Sequence, residues 1–137
     1  MSYEFLDHTA DVKFEASGKT LEEAFSSSLD ALKETISGDI FIVPQIDKEM
    51  SITGSDLNNL LYKFLEEFLF LLDSEDFLVS KIKKIEINEE ECSLKATIAG
   101  DKAENYNFTN DVKAVTYNEM VVRKDANGWI VEVVLDV

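Results

Sequence analysis

The sequence predicts an α+β domain in which two main helices pack against a mostly antiparallel or mixed β-sheet. Two apolar stripes of helical period lie between Thr20 and Leu72, and from Ile82 onward the period changes to two, with turn signals between the runs. Helices come early and strands follow as consecutive hairpins, the order of an α+β chain. At 137 residues and 45% hydrophobic, with one Pro and five Gly, the chain reads as a single domain over residues 1–137 with little linker material.

Taken in order, Tyr3 to Leu6 is a short strand that runs into the polar turn Asp7-His8-Thr9. Val12, Phe14 and Ala16 then alternate with Lys13, Glu15 and Ser17, the pattern of a half-buried strand ended by Gly18. Thr20 to Ile36 reads as a helix. Thr20 and Glu23 form a capping box, and Leu21, Ala24, Phe25, Leu29, Leu32 and Ile36 share one face. Phe41–Val43 and Met50–Ile52 read as strand pieces around Pro44. Asp56 caps a second helix from Leu57 to about Leu72. Its apolar stripe is wide enough to be the centre of the core, and Tyr62, Phe64, Phe68 and Phe70 read as core before partner surface.

Ile82, Ile85 and Ile87 lead through Asn88–Glu91 to Leu94, Ala96 and Ile98, a hairpin signature. Gly100 to Asp111 is a polar stretch anchored by Tyr106 and Phe108. Val112 to Val122 is a long strand, Asp125–Gly128 a turn, and Trp129 to Val137 the last strand.

Twenty-eight Asp and Glu against thirteen Lys and Arg give a net charge of −15. Such a surface repels phosphate backbones, so direct nucleic-acid binding is not expected; a basic partner protein, a cation or solubility alone fits the charge better. The single Cys92 excludes an internal disulfide and a cysteine zinc site. The N-terminus lacks a secretory pattern, and the apolar run Phe68–Leu72 is too short to span a bilayer, so a cytoplasmic location is expected.

Motifs for nucleotide phosphates, nucleophile elbows and thiol redox centres are missing, and the lone His8 cannot form a two-histidine metal site. What remains is Asp7-His8-Thr9-Ala10-Asp11, whose two carboxylates and hydroxyl suit a hard divalent cation. Asp136 is the second oddity. In the final run Ile130, Glu132, Val134 and Asp136 share one face, while Val131, Val133, Leu135 and Val137 form a wholly apolar one. A frayed, solvated chain end is the competing explanation for Asp136. Lys113 is the third, aligned with Val115 and Tyr117 and able to pair with an acid such as Asp11; a lysine stem lying over apolar surface is the alternative. Glu119 reads equally well as ordinary surface.

Three stretches together resemble the archease family. Tyr3-Glu4-Phe5-Leu6-Asp7-His8-Thr9-Ala10-Asp11-Val12 resembles its opening motif, Val112-Lys113-Ala114-Val115-Thr116-Tyr117 its V-K-A-[VI]-T-Y strand, and Val133-Val134-Leu135-Asp136-Val137 its ending. Leu21–Phe25 and Gly54–Leu61 match in order and spacing. The resemblance implies a non-enzymatic activator of the RtcB-type tRNA-splicing ligase, which promotes ligase guanylylation and repeated turnover. It also implies a bound divalent metal, calcium first, with magnesium or manganese as alternatives. The family's metal ligands fall on Asp11, Asp136 and the backbone carbonyl of Val137. Lys113, Asp7 and His8 fall where activation or support of those ligands is expected. Asn118 stands where the family commonly has His, so a role needing an imidazole there is not met. The alternative expectation is a general chaperone or interaction module for RNA-processing proteins with a structural metal. A metal-dependent hydrolase ranks last, because no clear general base beyond His8 is present.

Overall fold

The computed structural model describes residues 1–8 and 10–137. Seven strands and two long helices follow in the order β1 (Ser2–Leu6), β2 (Val12–Gly18), α1 (Leu21–Ser37), β3 (Ile46–Thr53), α2 (Leu57–Glu75), β4 (Phe77–Asn88), β5 (Ser93–Lys102), β6 (Ala114–Asp125) and β7 (Gly128–Asp136). The strands divide into two sheets, β1-β2-β7-β6 and β3-β5-β4, and every pairing is antiparallel. The architecture is the α+β arrangement expected, with two sheets where the sequence reading had one. α1 packs on β1, β2 and β7 and reaches β4, while α2 packs on β6, β3 and β4, so the helices join the sheets into one body.

Local chemistry explains the helix ends. The Thr20 hydroxyl accepts from the Glu23 amide at 3.1 Å, and Glu23 reaches back to the Lys19 amide at 3.1 Å, one residue before the reciprocal partner expected. Gly38, at φ 68°, ends α1 and donates to the Glu34 carbonyl. Asp56 caps α2 by accepting from the Asn59 amide at 2.8 Å, and α2 continues three residues past the expected Leu72. Asp76, left-handed at φ 54°, then turns the chain straight into β4.

The core lies between α1, α2 and the helix-facing sides of the sheets. Phe14, Phe25, Phe64, Leu60, Leu61, Leu65, Val131, Val133 and Leu135 are fully enclosed. Phe64 packs edge-on against Phe68, with ring centroids 5.0 Å apart, and tilted against Phe25 at 5.5 Å. Of the four α2 aromatics, Phe64 and Phe68 are core as expected, Tyr62 is half-buried, and Phe70 faces outward.

Phe41–Val43 is not a strand. Pro44 has no amide to donate, and the Val43 amide donates instead to the Tyr106 hydroxyl at 2.9 Å. That hydroxyl donates in turn to Asp101, a buried carboxylate that also accepts from the Lys102 amide, both at 2.8 Å. The polar stretch after β5 is therefore pinned to the loop before β3 by one side-chain relay. β6 begins at Ala114, two residues later than the sequence suggested.

The Tyr106 hydroxyl and the Lys102 amide hold the Asp101 carboxyl below its usual pKa range. Stability from this group is present above about pH 3.9, the unfolded value, and is lost as pH falls through the lower folded value. Asp101→Asn should flatten that part of the acid unfolding curve, read as melting temperature between about pH 5 and pH 2.

Candidate functional site

The register of the four-stranded sheet places the candidate residues. β2 pairs with β7 so that Val12 faces Leu135 and Lys13 faces Val134. That ladder ends at the Val12–Leu135 pair, and Asp11 and Asp136 are each the next residue beyond it. On the other side of β7, β6 pairs Ala114 with Asp136, and the Lys113 amide donates to the Asp136 carbonyl at 2.7 Å. Asp136 is therefore an ordered strand residue, not a frayed end. Its side chain lies on the face opposite the helices, beyond Val134 and Glu132, as the period-two reading required.

Asp11 and Asp136 thus lie at the same end of the β2–β7 ladder, with the backbone of Lys113 bonded to Asp136. Asp11 is half-buried and Asp136 exposed. Among the described residues, neither carboxylate takes part in an ion pair, and no three His, Cys, Asp or Glu side chains cluster as a ligand set. Two hard carboxylates with a neighbouring backbone oxygen suit a calcium- or magnesium-like ion in kind. They are fewer than the six to eight oxygens such ions take, so water or a partner would complete the shell.

The Lys113 side chain is exposed and, among the described residues, pairs with no acid; the expected Lys113–Asp11 pair is not formed. Asp7 is exposed. Thr9, whose hydroxyl was a candidate donor, lies outside the described residues.

The sequence reading undervalued Glu119. β6 carries an irregular bulge in which Tyr117 to Met120 stand opposite the single residue Val133, between the pairs Thr116–Val134 and Val121–Glu132. Within the bulge Glu119 adopts φ 60°, a left-handed conformation that costs a side-chain-bearing residue about 1–2 kcal/mol. Its carboxylate accepts from His8 Nε2 at 2.7 Å and from Lys13 Nζ at 3.3 Å. Lys13 also lies 3.5 Å from Glu132. The bonds from His8 and Lys13 keep the Glu119 carboxyl below its usual pKa. Burial lowers the Lys13 pKa, but Glu119 and Glu132 outweigh it and the net shift is upward. His8 Nδ1 is buried and has no hydrogen-bond partner among the described residues. One sequence signal pointed here: Lys13 shares a strand face with Asp11. The bulge that brings Glu119 to it carries no such mark.

The helix side of the V-K-A-V-T-Y strand is equally well tied. Glu66 of α2 accepts from the Val115 amide at 2.7 Å. Tyr62 stacks on Tyr117 with ring centroids 4.3 Å apart, and Asn59 donates to the Tyr117 hydroxyl. The end of the sheet that carries Asp136 and Lys113 is thereby held against α2. No described helix is long and apolar enough to cross a membrane.

Residues 3–137 match a family model described as the Archease protein family (MTH1598/TM1083). The chain is 38% identical to the protein archease of Methanosarcina mazei, over 98% of this chain and 95% of that protein. It is 36% identical to the protein archease of Aeropyrum pernix, over 96% of this chain and 94% of that one. The solution structure of Methanobacterium thermoautotrophicum protein 1598 superposes with a TM-score of 0.83 at 32% identity, covering 98% of both chains.

The exposed head of Lys113 contributes little to folding, and its backbone bond to Asp136 survives truncation. Lys113→Ala should therefore shift unfolding free energy by less than about 0.5 kcal/mol in urea titrations.

Proposed function

The chain belongs to the archease family, and on that premise we propose that it is an accessory activator of an RtcB-type tRNA-splicing ligase, promoting guanylylation and turnover of that enzyme. Asp11, Asp136 and the carbonyl of Val137 hold a divalent cation, calcium in the first instance. The observation that supports this most is the β2–β7 register, which carries one carboxylate from near the front of the chain to another near its end. When bound, the cation supplies a positive charge and open coordination positions for oxygen ligands of a partner.

The chain's own residues do the rest. β7 fixes Asp136 through its pairing with β6, and the Lys113 amide holds the Asp136 carbonyl inside the ladder. The Lys113 ammonium stands exposed beside this end of the sheet, where it can meet an acidic group or a phosphate oxygen of the ligase–nucleotide complex. The net charge of −15 favours encounter with a basic RNA-binding ligase and disfavours the RNA itself, consistent with a protein that acts on the enzyme and not on its substrate. An activator of this kind works in the cytoplasm beside its ligase.

The test is ligase guanylylation measured with wild type, Asp11→Ala and Asp136→Ala. Both variants should lose most of the stimulation while remaining folded by circular dichroism. Undiminished stimulation by both sinks the activator site. Full stimulation after chelation of the cation, with only a fall in melting temperature, favours the chaperone or interaction module with a structural metal.

A further inference from the structure

Among the described residues no side-chain bond of Asp11 itself holds it in place. The chain on either side of it is held by a single residue of another strand. His8, three positions before Asp11, donates to Glu119 at 2.7 Å, and Lys13, two positions after it, donates to the other oxygen of the same carboxylate at 3.3 Å. Lys13 in turn leans on Glu132 of β7 at 3.5 Å, so the clamp touches β2, β6 and β7 together.

Two further features show that this arrangement is imposed on the backbone. Ala10 has φ 68° and Glu119 φ 60°, both left-handed conformations that side-chain-bearing residues disfavour. The β6 bulge is what aims Glu119 across β7 toward His8, since a regular ladder would continue the pairing of Thr116 with Val134 without interruption. The clamp also occupies Lys13, the cation on the strand face of Asp11, with Glu119 and Glu132. An ammonium held in this way is kept from neutralising Asp11.

We propose that Glu119 is the positioning residue of the cation site: by gripping His8 and Lys13 it fixes the chain on both sides of Asp11 and raises the affinity of the Asp11–Asp136 pair for a divalent cation. This rests on the cation-binding reading above. Glu119 need not touch the ion; it acts through the residue that does, as outer carboxylates do at metal centres.

The experiment is calorimetric titration of Ca²⁺ into the intact protein, paired with the melting temperature of the metal-free form. Glu119→Gly is the decisive variant, because glycine accepts the left-handed conformation freely and the fold keeps its bulge. Its metal-free melting temperature should equal or exceed wild type, while its dissociation constant for Ca²⁺ rises about tenfold. Glu119→Gln keeps an acceptor for His8 but loses the charge facing Lys13, and should fall between the two. Glu15→Gln removes one negative charge from the same sheet face, opposite Glu132 but outside the bonds that Glu119 makes to His8 and Lys13, and should bind within about twofold of wild type.

Wild-type affinity in Glu119→Gly overturns the proposal. So does an equal loss in Glu15→Gln, which would make the effect one of charge alone, or a parallel fall of stability and affinity in Glu119→Gly. A wild type that takes up no Ca²⁺ removes the cation site itself and this inference with it, an outcome distinct from binding by wild type that Glu119→Gly leaves unchanged.

Discussion

The antiparallel pairing of β2 with β7 is the constraint from which the rest follows. Val12 to Gly18 face Leu135 to Trp129 in unbroken register, and the inward positions Phe14, Ala16, Val131, Val133 and Leu135 are all enclosed against the helices. A slip of one residue would turn those side chains to the open face and lose about 1.5–3 kcal/mol for each large one. The register is therefore set by the core and not by the polar residues at its end. Asp11 and Asp136 are brought to the same end of the ladder as a consequence of burying Phe14 and Leu135. Two carboxylates placed this way need no attraction between them, and as like charges they repel.

The neighbouring strands secure both ends of that ladder. The two-residue turn Ala126–Asn127 starts β7, and Gly128, at φ 133°, sits so close to the Gly18 carbonyl that a side chain would collide with it. The chain before β6 adds the Lys113–Asp136 backbone bond, and the β6 bulge adds Glu119. α2 holds β6 in place through Glu66, Asn59 and Tyr62. The second sheet takes no part in the site. It covers the far side of the helices with Met50, Ile52, Leu94 and Ile98.

Much of this was legible in the sequence because periodicity and capping are local. The stripe Leu57–Leu72, the Asp56 cap and the alternation of Phe14 with Lys13 and Glu15 each stand in a window of a few residues, and each became the expected element. The D-H-T-A-D, V-K-A-V-T-Y and terminal Asp-Val stretches pointed to the family that the comparisons show. Non-local features were not legible. Phe41–Val43 has strand composition, yet the Tyr106 hydroxyl, 63 residues away, takes the Val43 amide out of any ladder. Glu119 looked like surface because nothing near it in sequence announces that four residues of β6 will stand opposite one of β7. Lys113 was read either as pairing with an acid such as Asp11 or as a stem over apolar surface, and it is its backbone amide that bonds Asp136.

A cation shared between distant parts of one chain can be located directly. Crystals grown with Ca²⁺ and measured at a wavelength where calcium scatters anomalously should give a single strong peak about 2.3–2.6 Å from carboxylate oxygens of Asp11 and Asp136 and from the Val137 carbonyl. A peak on other residues, or both aspartates ordered with the ion on neither, contradicts the site built here.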